Sequence, residues 1–261
     1  MTGVPLPPLE LCERADFLNR RRLPGAPDIF LDSLLASTWW DPDRPLRSYD
    51  RLGRVLSQTI RAALPQDWSW RGKRVLDFGC GAGCVLRHFL AEAREADVWG
   101  CEMDVPSVEW LQAALCPPLH VLQRSEWPPL PLDTASFDLV YAMSVYTHLT
   151  DNWSAWMVEH HRLLRPGGLL LASFMGPPAL SRLGDWDPDR EGMRVAAEAL
   201  DWDQDGPLVI HAEWWIRRHW GRAFDILSLV PDGLALDAGS GEGWALMRRR
   251  DVEVTVELLE G

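Results

Sequence analysis

Residues 74–83 read Arg74-Val75-Leu76-Asp77-Phe78-Gly79-Cys80-Gly81-Ala82-Gly83. A short apolar run bounded by glycines reads as a buried strand, and the spacing predicts a helix over 83–94. In open α/β sheets, ligands bind beyond the carboxyl ends of the strands. Glycines let backbone come close to a ligand, and a helix start favours negative charge. A strand-to-helix turn without a ligand would need one glycine. Three at alternate positions, with the acid Glu102 ending the next apolar run, point to a ligand loop.

The pattern repeats outward from this stretch. Val98–Glu102 reads as a strand, and 106–115 as a helix with Pro106 at its start. Leu119–Gln123 and Phe137–Met143 read as further strands. Asn152–Leu164 reads as a helix capped by Thr150 or Asp151. Arg165-Pro166-Gly167-Gly168 is a turn, and Leu169–Phe174 a fifth strand. Alternating units of this kind imply a parallel sheet with helices on both faces.

Upstream, residues 1–30 are rich in Pro and Arg, with an amphipathic stretch at Leu9–Leu18. Residues 31–64 read as helices broken at Asp41-Pro42 and Pro45. Leu52, Val55, Leu56, Thr59, Ile60 and Ala63 recur at helical spacing, and Pro65 ends the run. This predicts a helical cap over 1–70 and a main domain over 71–261. Downstream, the stretch 176–213 holds nine acidic and three basic side chains, a local charge of −6. It reads as a loop-like insert with little core of its own, a lid with His211 and Trp214 at its inner edge. Glu213–Trp220 reads as a short aromatic helix. Phe224–Val230 and Trp244–Arg250 read as an antiparallel hairpin at the sheet edge. Leu236-Asp-Ala-Gly-Ser-Gly-Glu-Gly243 imitates the glycine loop, but the 18 residues after Gly243 cannot hold a helix and a second acid-tipped strand. It reads as a hairpin turn.

With 261 residues, 47% hydrophobic and 25% charged, the chain suits a globular fold. Its net charge of −12 argues against a nucleic-acid partner and against an anionic membrane surface. The five cysteines are odd in number and lack zinc-site spacing, so neither a metal nor a disulfide framework is expected. There is no basic start followed by an apolar h-region, and Leu169–Met175 is too short to span a bilayer. A cytoplasmic protein without membrane insertion is expected. Lys73 is the only lysine against 25 arginines, and there are 15 tryptophans, a bias that points to GC-rich coding.

The dinucleotide fingerprint is GxGxxG. Here the third glycine comes one residue early, Cys84 fills its usual place, and Asp77 lies two before the first glycine. This segment resembles class I S-adenosylmethionine-dependent methyltransferases of bacterial type, and the resemblance runs in order over 73–175. It implies a Rossmann-like seven-stranded sheet, parallel with an antiparallel C-terminal hairpin. It implies S-adenosylmethionine as cofactor, with Asp77, Gly79, Cys80, Gly81 and Gly83 at the loop. In the second motif, Glu102 would bind both ribose hydroxyls, with Met103 beside it. Glu102 follows Gly79 by 23 residues, near the ~20 of ribose-binding acids. In the third motif, Glu126 would approach the adenine amine and the Trp127 amide the ring. Met143 and Ser144 would flank the cofactor after the fourth strand. Phe137–Tyr141 and Leu164–Gly168 match the fourth strand and the turn into the fifth. The implied activity is methyl transfer to a small-molecule or glycan acceptor, with a hydroxyl as the expected nucleophile. The alternative is a cofactor-binding module without catalysis inside a larger glycan-modifying assembly. A nicotinamide oxidoreductase is disfavoured by Cys84 and Asp77, and RNA methylation by the charge.

Methyl transfer to a hydroxyl gains from a base. His148, just past the fourth strand, suits that role, or is a helix-start histidine bonded to backbone. His211 reads as substrate-facing, with Glu213 two positions on. His160 and His161 lie on a helix that packs away from the site. Trp214, Trp215 and Trp220 pack the short helix or stack on a ring substrate.

Overall fold

The structure is a computed structural model describing residues 4–15, 45–176, 186–197, 207–234 and 242–261. The helical reading of 31–44, much of the acidic insert and most of the second glycine stretch lie outside the described residues.

Helices α1 (Leu9–Ala15) and α2 (Pro45–Ala63) come first. Then follow β1 (Arg74–Phe78), β2 (Asp97–Glu102), α3 (Val105–Ala114), β3 (His120–Gln123), β4 (Phe137–Ala142), α4 (Trp153–Leu163) and β5 (Leu164–Met175). The chain continues through β6 (Met193–Ala197), β7 (Leu208–His211), α5 (Glu213–His219), β8 (Phe224–Val230), β9 (Glu242–Arg249) and α6 (Val256–Glu260). The strands β3-β2-β1-β4-β5 pair in parallel in that order. Antiparallel β9 lies along Leu169–Met175 of β5, and β8 closes the edge. This is the mixed, mostly parallel α/β sheet expected, with the C-terminal hairpin in its expected place.

The strand count is not the expected seven. Among the described residues there are nine, because the acidic insert contributes β6 and β7. Nor is the insert coreless: Leu208, Val209, Ile210 and His211 are all buried. The Val209 amide donates to the Thr147 carbonyl at 2.7 Å, and Ile210 pairs with Met175 at the end of β5. Three apolar residues and a histidine inside an acidic background carry a strand that charge counting conceals.

Alternation along the strands divides the core in two. Leu76, Phe78, Val140, Ala142, Leu170 and Phe174 face α4 and α5. Val75, Leu139, Tyr141, Leu169, Leu171 and Leu246 face α2 and the segment after the glycine loop. Leu56 and Ile60 of α2 belong to that second core, so the cap helix packs directly on the sheet. Gly53 permits the approach, since a Cβ there would overlap the Cys84 carbonyl.

Two local expectations are corrected. The segment 83–94 is not one α-helix but two 3-10 turns, Leu86–Phe89 and Glu92–Arg94. Arg61 of α2 grips this segment from the side, donating Nη2–H to the His88 carbonyl at 2.8 Å and Nε–H to Glu92 at 2.7 Å. The cap of α4 is Asn152 rather than Thr150 or Asp151, and its side chain makes no capping bond. Its amide instead donates to the Glu126 carbonyl at 3.3 Å. At the amino edge of the sheet, Asp138 gathers Lys73 Nζ at 3.1 Å, Arg165 Nη1 at 3.1 Å and the Arg74 amide at 2.9 Å.

Candidate cofactor and acceptor site

The glycine loop leaves β1 at the carboxyl edge of the sheet. Gly79, Gly81 and Gly83 have φ of +78°, +53° and +79°, a region that side-chain-bearing residues rarely occupy. A Cβ at Gly79 would lie 2.6 Å from Val145 Cγ2, so the loop rests on the segment that follows β4. The Gly79 and Cys80 amides both donate to the Cys101 carbonyl, at 2.9 and 3.1 Å. The loop shape is thus fixed by the neighbouring strand before any ligand arrives.

Glu102 ends β2 and is buried. Its Oε2 accepts the Gly81 amide at 2.8 Å. Its Oε1 accepts the Met103 and Asp104 amides at 2.6 and 3.1 Å. The acid assigned to the ribose is therefore also a clamp between two loops. Asp104 then caps α3, accepting the Ser107 amide at 3.0 Å.

Asp77 is 2% exposed. Desolvation holds its carboxyl well above the usual range, and the Glu102 charge adds to the rise. The Tyr141 hydroxyl, its register neighbour on β4, partly offsets this while staying short of hydrogen-bond geometry. Asp77 Oδ2, Tyr141 Oη and the Tyr49 hydroxyl of α2 are buried with no hydrogen-bond partner. Buried polar atoms are normally paired, so this orphaned set beside a glycine cradle fits a polar ligand. Tyr49 and Tyr141 were not singled out in the sequence, where each reads as ordinary core. Burial pushes the Cys80 thiol well up, so it is an inert packing group.

The third-motif residues sit on the same edge but further out. The Arg124 amide donates to the Glu102 carbonyl at 2.9 Å. Beyond it Glu126 is exposed, and Trp127 is 51% exposed. The Glu126 carbonyl is fixed by Trp156 Nε1–H at 2.9 Å. Met143 is buried, and Ser144 has φ +55°. Ser144 Oγ donates to Glu242 Oε1 at 2.7 Å. Glu242 escaped the sequence reading because it lies in the glycine-rich stretch taken as a turn.

The histidines fall elsewhere. His148 Nδ1 is 2.8 Å from the Pro207 carbonyl, so its ring ties the start of β7 to the β4 loop. Burial lowers its pKa to about 4, against the pull of that carbonyl, which leaves a weak base. His211 corrects the expectation of a substrate-facing residue: it is 0% exposed, packed between Trp215 and Trp220 with ring centroids 5.1 and 5.6 Å away. Burial lowers its pKa to about 3. His160 is 0% exposed, with Nδ1 3.0 Å from the Tyr146 hydroxyl, and His161 Nε2 is 2.9 Å from the Arg250 carbonyl. Trp215 and Trp220 are packed in the core, and Trp214 Nε1–H donates to the Pro188 carbonyl at 2.7 Å. Among the described residues no cluster of His, Cys, Asp or Glu could hold a metal ion, and no helix is long and apolar enough to cross a membrane.

Residues 76–172, from β1 into β5, match the family model of the methyltransferase domain. Over this part the chain is similar to the methyltransferase domains of class I S-adenosylmethionine-dependent enzymes. The chain is 33% identical over 155 residues to the ubiquinone biosynthesis O-methyltransferase of Idiomarina loihiensis, covering 54% of this chain and 57% of that one. It is 28% identical over 121 residues to phthiotriol/phenolphthiotriol dimycocerosates methyltransferase 1 of Mycobacterium ulcerans, covering 46% and 44%. These matches span about half the length of the curated relatives. The fold is also that of an S-adenosylmethionine-dependent methyltransferase from Mesorhizobium loti, with TM-score 0.54 and 19% identity over 74% of this chain and 96% of that one.

Proposed function

We propose that the whole chain is a methyltransferase that moves a methyl group from S-adenosylmethionine to a hydroxyl of a small-molecule or glycan acceptor. The observation that carries this reading is the set of orphaned polar atoms at Asp77, Tyr141 and Tyr49 around three left-handed glycines. The similarity to proteins named as O-methyltransferases supports oxygen as the acceptor atom.

The cofactor supplies a methyl on a sulfonium, whose thioether leaves readily. The protein then has to position the acceptor and exclude water. Asp77 and the glycine loop would receive the methionine end. A carboxylate offers about four lone-pair positions. Three on Glu102 are taken by backbone amides, so it has room for one ribose hydroxyl without releasing an amide. The net charge of −12 favours neutral or cationic acceptors over nucleic acid.

Calorimetry with S-adenosylhomocysteine tests the cofactor step, with NAD expected not to compete. A cofactor-consumption screen over sugar nucleotides, glycolipids and phenols then tests turnover. Tight binding with no consumption on any acceptor would favour a non-catalytic module.

A further inference from the structure

Glu242 opens β9 at the carboxyl edge of the sheet, paired with Met175 of β5. It is 7% exposed. Two hydroxyls converge on its Oε1, Ser144 Oγ at 2.7 Å and Ser173 Oγ at 3.4 Å. Ser173 Oγ in turn accepts the Ser144 amide at 2.6 Å, so Ser144 just after β4, Ser173 on β5 and Glu242 on β9 form one chain of hydrogen bonds. Strand alternation puts Glu242 on the face of Trp244 and Leu246, which is also the face of Tyr141 and its neighbour Asp77. Ser144 is followed by Val145, the residue pressed against Gly79. Ser144 thus links Glu242 to the residue that packs on the glycine loop. Ser144 itself adopts a left-handed φ of +55°.

We propose that Glu242 is the catalytic base of the methyl transfer, its carboxylate aimed by Ser144 and Ser173 at the acceptor hydroxyl. This rests on the reading of the chain as a methyltransferase and narrows it to acceptors whose hydroxyl must lose a proton. Glu242 takes that proton as the acceptor oxygen bonds to the methyl carbon. The electron pair of the breaking carbon–sulfur bond stays on sulfur, giving a neutral thioether. The protonated Glu242 then returns the proton to water. Burial raises the Glu242 carboxyl above its ordinary range, while both serine hydroxyls pull it back. Neither histidine near the edge fits as well, since His148 is tied to Pro207 and His211 is enclosed.

The test compares wild type with E242Q, whose amide oxygen still accepts from both serines. The acceptors are simple phenols, protonated at neutral pH with pKa ~10, nitrophenols already ionised there, and aromatic amines. E242Q is expected to lose roughly 100-fold or more in kcat on the protonated phenols and less than about threefold on the ionised ones, with S-adenosylhomocysteine affinity within about twofold of wild type. S173A should show the same selectivity in weaker form, about 5–10-fold, and serves if E242Q fails to fold. An equal loss on both phenol classes, or no loss on either, overturns the proposal. So does a wild type that binds S-adenosylhomocysteine but methylates only amines, or no phenol at all. A wild type that fails to bind S-adenosylhomocysteine overturns the cofactor reading itself, and this proposal with it.

Discussion

The Glu102 carboxylate accepts the Gly81 amide at 2.8 Å, across 21 residues of sequence. The acid at the end of β2 therefore shapes the glycine loop, in addition to the ribose contact proposed for it. Glu102→Ala should lower S-adenosylhomocysteine affinity at least about tenfold, or ~1.4 kcal/mol, in calorimetry. It should lower the melting temperature too, because three backbone amides lose a charged acceptor. Glu102→Asp, one methylene shorter, should keep the fold but release Gly81, with an intermediate affinity. An Ala variant that binds as well as wild type would remove Glu102 from the site.

Gly79 carries both a left-handed φ and a contact with Val145. Gly79→Ala should abolish measurable cofactor binding. A smaller Val145→Ala partner should relieve the clash but not the dihedral cost, which is about 1–3 kcal/mol. The double variant should therefore recover only part of the affinity, and full recovery would show that the dihedral is unimportant.

His211 is buried without a hydrogen-bond partner, with its pKa lowered to about 3. The unfolded chain protonates it near pH ~6.5, so as pH falls from there toward 3 the unfolded state binds the extra proton and stability is lost. Asp77 and Glu242, whose values are raised, act in the opposite sense, so the variant-minus-wild-type difference is the informative quantity. His211→Leu should be neutral or stabilising at pH 8 and should lose less stability at pH 5 in urea titrations. Cofactor binding should be unchanged. A variant as acid-sensitive as wild type would mean that His211 is not the proton sink.

Arg61 holds the 3-10 segment through His88 and Glu92, and its guanidinium lies 4.4 Å above the Phe89 ring. Arg61→Ala should cost about 1–3 kcal/mol. Residues 86–94 should become the first segment to lose hydrogen-exchange protection. Arg61→Lys should rescue little, because an ammonium cannot reproduce the fork. Unchanged exchange there would place the stiffness of the segment elsewhere.

Residues with short-range signatures were legible before the fold was known. The apolar run of β1, the three glycines, the acid ending β2 and Pro106 at the start of α3 declare themselves within a few positions. What escaped depends on distant partners. The segment 83–94 reads as a helix until Arg61 reaches it from α2. β7 is three apolar residues and His211, and no local pattern announces its pairing with the Thr147 and Met175 regions. Tyr49 and Tyr141 look like filler until their hydroxyls are found unpaired. Glu242 acquires meaning only when β4 and β5 bring two serines to it. His211 misled because a histidine beside an acidic stretch looks available, whereas burial is a property of the tertiary packing.

Lys73 sits in the Asp138 cluster at the amino edge of the sheet, with its side chain 36% exposed. As the sequence has no other lysine, this is its one side-chain amine. Amine-directed dyes or surface tethers would attach here, at the end of β1 opposite the glycine loop. Among side chains, that makes Lys73 the one amine handle for immobilisation, on the edge of the sheet away from the glycine loop.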